Sequence, residues 1–229
     1  EVNAVYYGNS MRIDLEKSHS STQKLKRQIG KVFSPQHFNL LFAGNIGKAQ
    51  AIETLLRAAV LLKGEPKFRL VLVGSGSMTP WLQQKIAEHG LKNIHLAGRF
   101  SQEDMPFFYK RADALVVSLK REEIFAMTVP TKIQSYLSAG KPIIAALDGE
   151  GARIVTEARA GITCGAEDAE SLAACARSLM GISQAKRQTM GKNGRKYFMQ
   201  HYEMNNQVKR LLGILENFLL SVNAARGRK

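Results

Sequence analysis

The sequence predicts an α/β fold, a doubly wound and mostly parallel Rossmann-like sheet, and three observations carry that prediction. Short apolar runs recur along the chain, several end in glycine, and each leads into a segment whose apolar residues repeat at helical spacing. Strands that alternate with helices of this length need crossover connections, and crossovers make neighbouring strands parallel.

Taken in order, Phe38 to Gly44 is an apolar run closed by glycine, and Ile52, Leu55, Leu56, Ala59, Val60 and Leu62 follow at helical spacing. Phe68 to Val73 leads to a helix over about 79–89, and Ile94 to Ala97 leads to a helix near Ser101-x-x-Asp104, a capping-box pattern. Ala114 to Leu119 leads through the longest loop, 120–129, to a helix that opens at Pro130 and stops at Gly140. Lys141 to Leu147 leads to a helix through Ile154, Val155 and Ala158, and Gly161-Ile162-Thr163 precedes helices over about 168–180, 184–200 and 205–222. Three parts are expected: a polar connector over 1–35, the Rossmann-like domain over 36–200, and a C-terminal helix with a basic tail over 201–229.

Composition narrows the function classes. The 229 residues are 45% hydrophobic with 33 Lys plus Arg against 19 Asp plus Glu, a net charge of +14 that calls for an anionic partner. The cations are dispersed rather than interleaved with aromatics, which disfavours a nucleic-acid stacking platform. Cys164 and Cys175 have no metal-like spacing and the five histidines are scattered, so reduced thiols in a cytoplasmic setting and no metal site are expected. No apolar run reaches the ~20 residues of a membrane span. The first residues carry neither an initiator Met nor a signal-peptide pattern, as expected of a piece of a longer polypeptide.

Open α/β sheets bind ligands outside the carboxyl ends of their strands, so the loops there hold the candidate residues. Gly44-Asn45-Ile46-Gly47-Lys48-Ala49-Gln50 offers close backbone approach, two amides and a cation, and matches neither a Walker nor a Gly-x-Gly-x-x-Gly pattern. Gly74-Ser75-Gly76 repeats the arrangement, and Arg99 with Phe100 can frame a base. The start of the Pro130 helix, with Lys132 in its first turn, is dressed for a phosphate. Glu122 and Glu123 read as solvated carboxylates, while Glu150 is a candidate for sugar or ribose hydroxyls.

With these loops, the chain resembles the C-terminal, nucleotide-sugar-binding half of a retaining GT-B glycosyltransferase of family four. The strings Phe42-Ala43-Gly44-Asn45-Ile46-Gly47-Lys48-Ala49-Gln50 and Thr128-Val129-Pro130-Thr131-Lys132-Ile133-Gln134-Ser135-Tyr136-Leu137-Ser138-Ala139-Gly140 are similar to those of O-antigen or capsule fucosaminyl- and N-acetylhexosaminyltransferases. The resemblance implies transfer of a sugar from a nucleotide donor, usually UDP-linked, to a lipid-linked glycan with retention of configuration. It places Lys48 and Lys132 at the diphosphate as the catalytic cations. Gly44, Asn45, Ile46, Gly47, Gln50, Gly74, Ser75, Gly76, Arg99, Phe100, Phe125, Thr128, Val129 and Pro130 fall at the donor. Many relatives have two glutamates where this chain has Met127 and Ser135, so Gln134, Ser135 or Glu150 stand as ribose partners.

The resemblance also implies metal-independent chemistry, an acceptor bound mainly by a preceding domain, and little activity of this half alone. A basic surface resting on the anionic inner face of the cytoplasmic membrane fits the same picture. A GT-B-fold sugar-nucleotide epimerase and a basic nucleic-acid-binding module remain as alternatives.

Overall fold

The computed structural model describes residues 29–226. Six strands form one all-parallel sheet: β1 (Phe38–Ala43), β2 (Phe68–Val73), β3 (Ile94–Gly98), β4 (Ala114–Ser118), β5 (Ile143–Ala146) and β6 (Gly161–Cys164), in the order β3-β2-β1-β4-β5-β6. The helices are α1 (Ile52–Leu61), α2 (Thr79–Glu88), α3 (Met105–Arg111), α4 (Glu123–Ala126), α5 (Thr131–Ala139), α6 (Glu150–Glu157), α7 (Ala169–Gly181), α8 (Gln184–His201) and α9 (Met204–Arg226). The expected doubly wound sheet is therefore present, and its order reverses between β1 and β4.

Period-two alternation along the strands divides the core into two layers. Leu40, Phe42, Leu70, Leu72, Val116 and Ile144 face one side, where α1, α2 and α7 bring Leu55, Leu82 and Leu172. Leu41, Ala43, Val71, Val73, Leu115, Val117 and Ile143 face the other, covered by Phe108 of α3, Ile133, Tyr136 and Leu137 of α5, and Val155 of α6. Because both faces are covered, the strands read as unbroken apolar runs in sequence.

The sheet opens at the reversal point. β1 and β2 pair along their whole length, from Phe38 opposite Phe68 to Ala43 opposite Val73. β1 and β4 pair only at Leu40 opposite Ala114 and Leu41 opposite Leu115, so they part toward their carboxyl ends. There the Tyr136 hydroxyl, fully buried, accepts from Ala43 N at 3.0 Å and donates to Ala43 O at 3.3 Å. A side chain of α5 thus occupies hydrogen-bonding positions where β4 has turned away.

Several local expectations meet the structure directly. Ser101 and Asp104 form the capping box, leading through a 3-10 turn at Gln102–Asp104 into α3. Gly140 ends α5 in the left-handed region at φ 66°. Two details differ. Pro130 is the N-cap of α5, in extended conformation, rather than its first helical residue, and the long loop contains the one-turn helix α4. The connector expected over 1–35 lies outside the described residues up to position 28. Of its remainder, Ile29 and Phe33 are buried against the domain. In the C-terminal part α9 exposes Leu212, Leu215 and Phe218, and the tail beyond 226 lies outside the described residues. Among the described residues no helix is long and apolar enough to cross a membrane.

Candidate functional site

The loops after β1, β2 and β3 meet at the carboxyl edge of the sheet and are joined by main-chain hydrogen bonds. Gly44 N donates to Val73 O at 2.8 Å, Ile46 N to Ser75 O at 3.0 Å, Met78 N to Ile46 O at 2.9 Å and Gly74 N to Gly98 O at 2.8 Å. Glycine is required twice in this seam. Gly44 sits at φ 141°, where a Cβ would lie 2.5 Å from Lys132 Cε, and Gly74 sits at φ 136°, where a Cβ would lie 1.8 Å from Gly44 O. The close backbone approach expected of the glycine-rich loops is thus used between the loops themselves.

Beside this seam lies a cleft of about 1550 Å³, bounded by the β-strand loops, by the segment from Arg99 through α3, and by α5. Its lining includes Gly44, Asn45, Gly74, Ser75, Gly76, Arg99, Phe100, Lys132 and Ser135, so nine of the sequence-predicted positions come together. The first turn of α5 contributes Thr131 and Lys132, and first-turn N–H groups have no partner within their helix. A diphosphate can therefore meet amides, a helix dipole and a lysine in one place. Charged lining residues are Arg99, Lys110, Lys132, Lys141 and Arg195 against the single carboxylate of Glu103. Lys141 and Arg195 are already committed to helix ends: Lys141 Nζ donates to Lys110 O and Ala112 O at 3.0 and 2.7 Å, and Arg195 donates to Ser138 O.

Lys132 is the most constrained cation. Its Nζ donates to Gln50 Oε1 and lies 4.1 Å from the centre of the Phe42 ring. Burial holds its pKa well below the usual lysine value, at about 7. Gln50 is placed by the 3-10 turn Lys48–Gln50, which folds over the parted ends of β1 and β4. Its carbonyl accepts from Ser118 Oγ at 2.7 Å, and the neighbouring Ala49 carbonyl accepts from Lys120 N at 3.0 Å.

The other predicted residues take different places. Ile46 is a core residue whose N–H and C=O are both used in the loop seam, so it offers a ligand neither. Gly47 is buried behind Asn45, and Gln50 serves Lys132 in place of the cleft. Lys48 is exposed on its turn and is not part of the lining. Phe125 and Val129 pack against the core, Thr128 Oγ1 donates to Ile124 O at 3.1 Å, and Pro130 caps α5. Gln134 is buried. Glu150 is held by Arg153, at 2.8 to 3.0 Å, which lowers its carboxyl pKa and draws it into a surface pair at the start of α6. Ser135 Oγ donates to Thr131 O at 3.2 Å while lining the cleft.

Sequence reading missed Thr131, Glu103, Lys110, Lys141 and Arg195 in the lining and Tyr136 beside it. Thr131 was within the quoted helix start, and Tyr136 lies one turn after Lys132 on the same helix, so spacing alone put it beside the site. Among the described residues no group of three or more His, Cys, Asp or Glu is placed to hold a metal ion.

Residues 25–197 match the family model described as glycosyl transferases group 1. The chain is 29% identical over 163 residues to the probable glycosyltransferase WbjE of Pseudomonas aeruginosa, covering 70% of this chain and 40% of that protein. It is 31% identical over 101 residues to the putative colanic acid biosynthesis glycosyl transferase WcaI of Escherichia coli K12, covering 44% and 24%. The chain thus spans less than half the length of these curated relatives. The fold is shared with Anabaena Alr3699/HepE, solved in complex with UDP and glucose, at a TM-score of 0.70 and 21% identity, covering 90% of this chain and 55% of that one. It is also shared with the C-terminal domain of the group 1 family protein LpcC from Francisella tularensis, at a TM-score of 0.65 and 18% identity, covering 84% of this chain and 100% of that one. With the fold, the cleft and a model match over most of its length in agreement, this chain belongs to the group 1 glycosyl transferase family.

Proposed function

We propose that this chain is the donor-binding half of a retaining, metal-independent glycosyltransferase of family four type that uses a UDP-sugar in bacterial surface polysaccharide synthesis. One observation carries the reading: the seam of Gly44 and Gly74, the first turn of α5 and Lys132 all face one cleft at the point where the strand order reverses. UDP as the nucleotide is supported by the UDP complexes of Alr3699/HepE, whose fold this chain shares. The polysaccharide setting is supported by WcaI.

In this reading the diphosphate rests on the amides at the start of α5, with its β-phosphate toward Lys132. As the bond to the sugar breaks, negative charge grows on the leaving diphosphate. The helix dipole and the Lys132 amine are already aimed at it, which favours the transition state over the bound donor. Arg99 and Phe100 border the base, and Ser135 lines the cleft at the position where many relatives have the glutamate that holds the ribose. The lipid-linked acceptor belongs to a preceding domain, so the half alone turns over little donor. The net charge of +14 favours residence at the anionic inner face of the cytoplasmic membrane.

Thermal shift with UDP, GDP, ADP and a short oligonucleotide tests the reading. The expected result is stabilisation by UDP above the others, reduced at least tenfold in affinity in Lys132→Ala. Stabilisation by the oligonucleotide alone, falling steeply with salt, refutes it in favour of a nucleic-acid module.

A further inference from the structure

Among the described residues the Lys132 amine, largely but not fully buried at the edge of the cleft, has no carboxylate partner. It donates to a neutral amide, Gln50 Oε1, lies over the Phe42 ring, and has its Cε packed beneath Gly44. Among the described residues no surrounding element pairs a carboxylate with it. β1 presents the Phe42 ring, and the 3-10 turn presents Gln50 with Lys48 exposed. α5 presents Tyr136, its hydroxyl engaged by Ala43, α3 presents Tyr109 and Lys110, and α8, packed along α5, brings Arg195, which with Lys141 adds only further positive charge. The segment after β3 presents Arg99 and an exposed Glu103, and among the described residues no ion pair includes Lys132.

We infer that binding of a nucleoside diphosphate in this cleft is coupled to uptake of one proton by Lys132, the ligand supplying the counter-ion that the folded chain withholds. The inference rests on the reading of the cleft as a diphosphate site and adds to it a linkage. A charged amine is disfavoured by burial, and burial is the cause acting on Lys132, holding its pKa at about 7. An opposite charge within hydrogen-bond reach reverses that preference and moves the pKa upward. Gln50 is a positioning residue here: its carbonyl oxygen accepts from the amine in either protonation state, so geometry is fixed without fixing charge. A glutamate at position 50 would hold the same geometry and supply the charge permanently. The sign follows from linkage: a complex that binds more protons than the free protein loses affinity as pH rises, up to tenfold per unit, between the free and the bound pKa.

Calorimetric titration with UDP at about pH 8, where the terminal phosphate is fully ionised, is run in two buffers of different ionisation enthalpy, and the difference counts protons. Native protein is expected to take up close to one proton per UDP at about pH 8 and close to none near pH 6. Lys132→Met, which keeps the packing volume, is expected to show no uptake at either pH. Gln50→Glu, which pairs the amine beforehand, is expected to stay folded by circular dichroism, bind UDP more weakly and take up close to no proton. UDP bound by native protein without uptake at about pH 8, or uptake undiminished in Lys132→Met, overturns the linkage and leaves the donor reading standing. Failure of UDP, GDP and ADP alike to bind overturns the donor reading together with it.

Discussion

Tyr136→Phe tests the way the opened sheet edge is sealed. The substitution keeps the ring, including its edge-on contact with Tyr109 at 5.7 Å between centroids, and removes only the oxygen that serves Ala43. At a fully buried position Ala43 N–H then loses its partner, and a buried group left unpaired costs about 1–3 kcal/mol. Taking about 2 kcal/mol, and 2–4 °C per kcal/mol for a domain of this size, Tm should fall by roughly 4–8 °C. Burial holds the Tyr136 phenol far above its usual pKa, so the hydroxyl keeps its proton and the loss should be the same from about pH 6 to about pH 9. Thermal unfolding followed by circular dichroism measures it, with UDP affinity as a second readout, because Ala43 leads directly into the Gly44 turn. A Tm within about 1 °C of native would mean that water satisfies Ala43 and that the gap between β1 and β4 is wet, which would refute the reasoning.

Four further outcomes follow from the same structure. Gly74→Ala drives a Cβ into Gly44 O, so a loss of at least about 2 kcal/mol in chemical denaturation and a tenfold or greater loss of UDP affinity are expected. Gly64→Ala, with nothing within 4 Å, should stay within about 0.5 kcal/mol of native. Asp168 caps α7 by accepting from Ser171 N at 2.9 Å, and those hydrogen bonds hold its carboxyl below the usual range. Its contribution is complete above the unfolded carboxylate pKa and is lost as pH falls through the folded one, so the Tm gap between native and Asp168→Ala should narrow from about pH 6 to about pH 3. For Lys132 the slope has the same sign but another origin, because burial penalises the charged form. The unfolded lysine stays protonated up to about pH 10 while the folded one releases its proton from about 7, so native stability should rise across that window relative to Lys132→Met. A flat difference between the two proteins would place the amine in water.

The parts of this molecule that sequence revealed are those whose cause is local. β2 runs from Phe68 to Val73 in both readings, because a strand covered on two faces must be apolar at each position, and that leaves a continuous run. Gly44 and Gly74 were legible as places where backbone comes close, yet what each approaches was not. Gly74 meets Gly44 O, thirty positions away, and no local pattern names such a partner. The helix α4 escaped for a different reason: four residues make a single turn, too short for any periodicity to register.

Gln50 shows the deeper difficulty in reading a site. An amide in a glycine-rich loop looks the same whether it will touch a ligand or a neighbouring lysine, and only the crossing of the Lys48–Gln50 turn over the parted strands brings it to Lys132, eighty-two positions on. Glu150 is drawn into a pair that sequence does carry, since Arg153 stands three residues later on the same helix. Lys132 reaches the cleft because its position in a first helical turn fixes its direction, but its protonation depends on the absence, among the described residues, of a carboxylate paired with it. Chemistry at this cleft is therefore set less by which polar residues the loops contain than by which of them the fold leaves without an internal partner. Lys141 and Arg195 are spent on helix carbonyls, Glu150 on Arg153 and Ile46 on the loop seam, while Lys132, held only by a neutral amide, still lacks a counter-ion.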